Sequence, residues 1–116
     1  MNSLATKTVV FALIVVISVA VVNSARTARP STTRTTRAIC QAFGRFCSQA
    51  IAIARCESSL NVYAHNGQYL GLFQMGSYAR ARYGHSWTAW GQARAAYRYF
   101  RDVGYSWSPW TCAFVL

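Results

Sequence analysis

Phe46 to Ser58 reads FCSQAIAIARCES, and the reading of this stretch decides the fold. Phe46, Ala50, Ile53 and Ala54 recur at helical spacing and define one apolar stripe, so a helix is predicted over Arg45–Ser58. Counting on by three from Ala54 or by four from Ile53 brings the stripe to Glu57. A carboxylate therefore continues an apolar face near a helix C-terminus. Partial burial and the negative end of the helix dipole both favour the protonated acid, the form a general acid requires. The plainer reading is a surface glutamate at a frayed helix end. The chain has 12 Lys+Arg but only 2 Asp+Glu, Glu57 and Asp102.

Upstream, Ala38 to Phe43 reads as a short helix stopped by Gly44. Downstream, Leu60 to Gly71 is expected as a loop with HNGQY as its turn signal, and Tyr69 to Gln74 as a small strand or tight turn. Ser77 to Gly84 is a further helix, with Ser77 as N-cap and Gly84 as its stop. Thr88 to Gly104 is the clearest helix: Trp90, Ala93, Tyr97 and Phe100 mark its stripe, with Ala96 and Val103 beside it. Asp102 falls on its polar side near Arg98 and Arg101, where an ion pair is expected. The fold class is thus mainly α, with at most a tiny hairpin.

With 116 residues the chain has room for one domain. A formal net charge of +10, carried almost entirely by arginine, predicts attraction to nucleic acid, anionic lipid or an acidic cell wall. Residues 1–25 read as a signal peptide. Lys7 precedes the apolar run Thr8 to Val22, and Ser24 and Ala25 supply small residues for cleavage. The run is shorter than the roughly 20 residues of a membrane span, so membrane contact is expected only through this segment if it stays attached. Residues 26–37, a Thr/Ser/Arg stretch without a large apolar side chain, read as a disordered leader, and residues 38–116 as the folded domain. Cys40, Cys47, Cys56 and Cys112 form an even set in a short exported chain, which implies two disulfides with three possible connectivities. No CxxC occurs, and His65 and His85 are not spaced as ligands, so neither a metal nor another cofactor is expected.

ARCESSLNVYAHNGQYLGLFQM, 54 to 75, followed by QARAAYRYFRDVGYSWSPWTC, 92 to 112, resembles the lysozyme-like superfamily. More narrowly it is similar to soluble lytic transglycosylase domains and resuscitation-promoting factor domains. The features that carry the resemblance are Cys56-Glu57-Ser58, GLFQ at 71–74, Gln92 and the ending SPWTC. The resemblance implies a small lysozyme-like domain in which Glu57 is the catalytic acid acting on the MurNAc–GlcNAc bond of peptidoglycan. It also implies a Cys56–Cys112 bridge, which leaves Cys40–Cys47. Seven residues along a straight helix span roughly 10 Å, too far for a disulfide, so Gly44 must break the helix between them.

Most glycosidases use two carboxylates, and Asp102 is the only other one, so the inventory favours a lytic transglycosylase whose single glutamate gives 1,6-anhydro ends. Ser58, Tyr69, Gln74 and Tyr97 are candidates to bind substrate. Gln74 competes with a role in capping Ser77, and Tyr97 with a place in the core. Trp107 and Trp110 are expected to pack around the Cys56–Cys112 bridge. Glycan strands and anionic wall polymers are the expected partners of a secreted, wall-associated monomer, with no nucleic acid. The competing functions are a muramidase, a non-catalytic glycan-binding module and a cationic membrane-active protein.

Overall fold

Thr35, Ala38, Ile39 and Phe43 share one helical face and are all buried, which makes them the inner side of the first helix, α1 (Thr32–Phe43). They belong to a computed structural model that describes residues 32–116. The expected signal peptide, 1–25, and residues 26–31 of the expected leader lie outside the described residues. The leader was predicted unfolded through Arg37, yet the chain is helical from Thr32. A threonine methyl is enough to extend an apolar face once Ile39 and Phe43 anchor it. The Thr36 hydroxyl meanwhile bonds back to the carbonyls of Thr32 and Thr33, both at 3.1 Å.

Gly44 then breaks the helix as expected. Its φ of +53° is the left-handed conformation that glycine adopts without steric cost, and it opens a 3₁₀ turn, Gly44–Phe46. The break brings the Cα atoms of Cys40 and Cys47 within 4.5 Å, where they are bridged. Helix α2 (Cys47–Ser58) starts two residues later than predicted and buries Ala50, Ile53 and Ala54, with Glu57 half-buried on the same stripe. Ser59 ends it in the left-handed region, its N–H turned back to the carbonyls of Ala54 and Arg55.

The tiny hairpin pairs β1 (His65–Asn66) with β2 (Tyr69–Leu70), His65 opposite Leu70 and Asn66 opposite Tyr69. Helix α3 (Ser77–Tyr83) follows, and here the predicted cap is corrected. Gly76 takes the N-cap position without a side-chain bond, and Gln68 Oε1 accepts from both the amide and the hydroxyl of Ser77. Helix α4 (Ala89–Asp102) is capped by Thr88, whose Oγ1 accepts from the Gly91 N–H at 3.1 Å. Its inner face is Gln92, Ala93, Ala95, Ala96 and Phe100. Trp90, predicted on the apolar stripe, and Val103, predicted beside it, are 44% and 39% exposed. Each lies at an end of the helix, beyond the reach of the core, and the Trp90 ring is covered instead by the guanidinium of Arg94 at 5.5 Å. The predicted ion pair is present, with Arg101 Nη2 3.0 Å from Asp102 Oδ1.

Helix α1 packs on α2 and α4 around Phe43, whose ring contacts Phe73, Phe100 and Trp107 at centroid distances of 5.4, 5.8 and 5.4 Å. Buried alanines on α2 and α4 admit this dense aromatic cluster without pushing the helices apart. Both indole N–H groups of the core are satisfied: Trp107 donates to Gln49 Oε1 at 2.8 Å and Trp110 to the Phe73 carbonyl at 2.9 Å. The second bridge joins Cys56 to Cys112, in a C-terminal 3₁₀ turn (Thr111–Val115). The fold is therefore mainly helical with a two-stranded hairpin and two disulfides.

One polar side chain sits among the core residues of α4. Gln92 Oε1 accepts from the Leu72 N–H at 2.8 Å, and Nε2 donates to the carbonyls of Val62 at 3.0 Å and Ser86 at 2.8 Å. Gly71, at φ +78°, lies so close that a Cβ there would meet Gln92 Oε1 at 2.4 Å.

Replacing Gln92 with Leu keeps the bulk and strands three backbone groups. Urea denaturation should show a loss of about 3 kcal/mol, whereas a loss too small to measure would mean that the amide is dispensable. The two bridges should differ in worth. Loop entropy assigns about 4 kcal/mol to the bridge with separation 56 and about 2 kcal/mol to that with separation 7. Paired Cys→Ala variants compared by the same method check the order.

Candidate functional site

Glu57 opens onto a cleft of about 500 Å³. Its walls come from segments far apart in sequence. Glu57 enters from the last turn of α2, and Asn66, Gln68 and Tyr69 from the hairpin and its turn. Gln74 and Gly76 precede α3, Tyr78 is on α3, Tyr99 on α4, and Trp110 and Thr111 come from the C-terminal segment. Arg80 braces the near wall, its Nη1 donating to the carbonyls of Gln68 and Met75.

Glu57 is the one charged side chain lining the cleft. Its Oε1 accepts from the Cys112 backbone N–H at 3.0 Å, the one hydrogen bond to this carboxylate among the described residues. Oε2 has no hydrogen-bond partner there. The grip is enforced covalently, because Cys112 is bridged to Cys56, the residue before Glu57. The carboxylate, the amide that holds it and the disulfide form one closed ring of contacts, which limits the rotamers Glu57 can visit. Asp102, the other carboxylate, does not line the cleft and is occupied by Arg101.

Gln74 sits with φ +45°, a left-handed conformation unusual for a residue with a side chain. Its Nε2 donates to the Gly71 carbonyl at 2.9 Å, which helps hold that backbone. The amide therefore does not cap Ser77, and its Oε1 has no hydrogen-bond partner among the described residues. A strained backbone that presents an open acceptor to a cleft is a common property of binding loops. Tyr69 is half-exposed on the wall, and a side chain at position 76 would press on its ring, since a Cβ on Gly76 would meet Tyr69 Cε1 at 3.2 Å. Tyr78 is 79% exposed at the rim. Tyr99 stacks between Tyr83 and Trp110 at 5.0 and 5.1 Å, so the cleft has an aromatic side.

Of the residues singled out in the sequence, Glu57, Tyr69 and Gln74 thus meet in one cleft, while Ser58 and Tyr97 do not line it. Ser58 Oγ lies 2.9 Å from the Ala54 carbonyl and 2.8 Å from that of Leu72, so its proton ties α2 to the GLFQ segment. Tyr97 packs edge-on against Phe43 at 5.5 Å and borders a separate depression with Phe46 and Tyr105. Two residues further along α4, Tyr99 faces the cleft. Asn66, Gln68, Tyr78, Tyr99 and Thr111 line the cleft without having been singled out. A signal existed for Asn66, which pairs directly with Tyr69 across the hairpin. Trp107 and Trp110 are both buried in the core cluster that includes Cys112, and Trp110 alone of the two also walls the cleft. Comparison with protein-family models, with curated proteins and with solved structures yields no match for the chain.

Proposed function

We propose that the protein is a secreted peptidoglycan lytic transglycosylase with a lysozyme-like helical domain, in which Glu57 acts as both acid and base. The observation that carries this reading is one half-buried carboxylate, fixed by a backbone N–H, in a cleft lined otherwise by uncharged groups, chiefly amides and aromatic rings. Amide acceptors and aromatic faces are what a chain of N-acetylated sugars requires. A cleft with a single carboxylate supports intramolecular ring closure over two-carboxylate hydrolysis.

In the proposed reaction Glu57, protonated on Oε2, gives its proton to the oxygen that links MurNAc C1 to GlcNAc. The C1–O bond breaks, the GlcNAc hydroxyl departs, and positive charge develops on the MurNAc ring, where its own acetamido oxygen stabilises it. The Glu57 carboxylate then takes the proton of the MurNAc C6 hydroxyl while O6 bonds to C1. The 1,6-anhydro ring closes, the acid is regenerated, and no water is consumed. The Cys112 N–H keeps the carboxylate oriented through both proton transfers. Gln74 Oε1 is placed to accept from a sugar N–H or hydroxyl. Two disulfides agree with an oxidising, extracellular setting, and the net charge of +10 supports retention on an anionic wall.

Digestion of purified peptidoglycan should release anhydro-ended muropeptides, detected by mass spectrometry, and Glu57→Gln should lower the rate at least about 10³-fold with its thermal midpoint retained. Reducing ends would replace the lyase reading with hydrolysis, and undiminished lysis by Glu57→Gln would remove enzymatic action altogether. Gln74→Ala should lower kcat/KM about fivefold through one lost hydrogen bond, while Tyr97→Phe, away from the cleft, should leave kcat/KM within experimental error. Equal effects of the two would remove Gln74 from the binding surface.

A further inference from the structure

A second concavity, of about 190 Å³, lies where the end of α3 meets the start of α4, and it shares no lining residue with the cleft. Gly84, His85, Ser86, Trp90, Arg94 and Arg98 border it. Arg94 and Arg98 stand one helical turn apart on α4, a spacing at which like charges repel. Neither has a carboxylate partner: Asp102 pairs with Arg101 and Glu57 is held in the cleft, and these are the 2 acids of the chain. Arg94 lies over the Trp90 ring, and Arg98 Nη1 reaches the Tyr83 carbonyl at 3.4 Å, so among the described residues most of their N–H donors are unused.

His85 adds a third observation. Its Nε2 is the one buried side-chain nitrogen or oxygen without a hydrogen-bond partner among the described residues. Burial, and then the charge of Arg80, lower its pKa from the ordinary histidine value, so the ring is neutral at neutral pH and one of its nitrogens is a donor. His85 borders the concavity, so this unpartnered nitrogen belongs to its wall. The first turn of α4, at Trp90 and Gly91, contributes further positive potential.

We propose that this concavity binds a phosphate group, gripped by Arg94 and Arg98 with His85 as a further hydrogen-bond donor. Two guanidinium groups offer more donors than one carboxylate can accept, whereas a tetrahedral phosphate takes them from several sides. The space exceeds a bare ion, and the half-exposed Trp90 indole beside it suits the carbon face of an attached polyol or sugar. Free phosphate and the phosphodiester of an anionic polymer share this chemistry. The proposal does not depend on glycan cleavage, because it uses none of the cleft residues.

The test uses the full chain with both bridges formed, at constant ionic strength. Inorganic phosphate and, separately, a glycerol-phosphate polymer are titrated while the His85 ring and the arginine Nε signals are followed by NMR. Saturable shifts at His85, Arg94 and Arg98 are expected. The Arg94→Gln/Arg98→Gln variant should bind at least about tenfold more weakly. Arg45→Gln/Arg55→Gln, with the same change in net charge at exposed positions elsewhere, should differ less than about twofold from the parent. Equal affinity for the two probes supports a free anion as the ligand. Tighter binding of the polymer, lost in the first variant, supports the phosphodiester. Equal losses in the two double variants, or no shift at His85, would overturn the proposal and leave only diffuse charge attraction.

Discussion

The buried carboxamide of Gln92 is the constraint from which the rest of the structure follows. It is the side chain of a helix residue, yet its three bonds all go to backbone outside that helix: Val62 before the hairpin, Leu72 after it and Ser86 before α4. Those backbone groups would otherwise be buried without partners, a cost comparable to the net stability of a small domain. With them satisfied, the two ends of the 62–72 segment that carries Tyr69 are tied to α4, and Gln74 follows two residues beyond Leu72. Gly71 is part of the same arrangement, since only a residue without a Cβ leaves room for the amide oxygen.

A second closed arrangement holds the acid. The Cys56–Cys112 bridge fixes the C-terminal 3₁₀ turn against the end of α2, and the Cys112 N–H then meets Glu57. The two arrangements meet at Leu72 and Ser58. Leu72 gives its N–H to Gln92 and its carbonyl to Ser58, the residue next to Glu57. Residues from six segments thereby reach one cleft with very little regular sheet. In a unit this small, cross-links and a satisfied polar core take the place of a larger apolar one.

Much of this was legible in the sequence, and the pattern of misses is physical. The α2 stripe, its extension to Glu57, the break at Gly44 and the hairpin all rest on local signals, namely period, left-handed glycine and turn chemistry. The start of α1 was missed because Thr35 has only a methyl to offer and reads as polar until Ile39 and Phe43 supply the surface it packs with. The face of α4 was drawn too far toward its ends because periodicity says where a stripe points but not where the core stops, so Trp90 and Val103 were placed inside. Gln92 was noticed only through the resemblance, since an apolar pattern has no means of marking an inward amide. Tyr97 and Tyr99 differ by two positions on a helix with tyrosines on several sides. Only the packing of Phe43 against one and Trp110 against the other separates them.

Trp110 occupies an unusual station: its indole N–H is spent on the Phe73 carbonyl, its ring leans on Tyr99 and Trp107, and its edge forms part of the cleft wall. Trp107 is sealed in the core, while Trp87 and Trp90 are half-exposed away from the cleft. An occupant of the cleft would therefore change the surroundings of one indole out of four. The molecule carries its own optical reporter of what lies beside Glu57, without any added label.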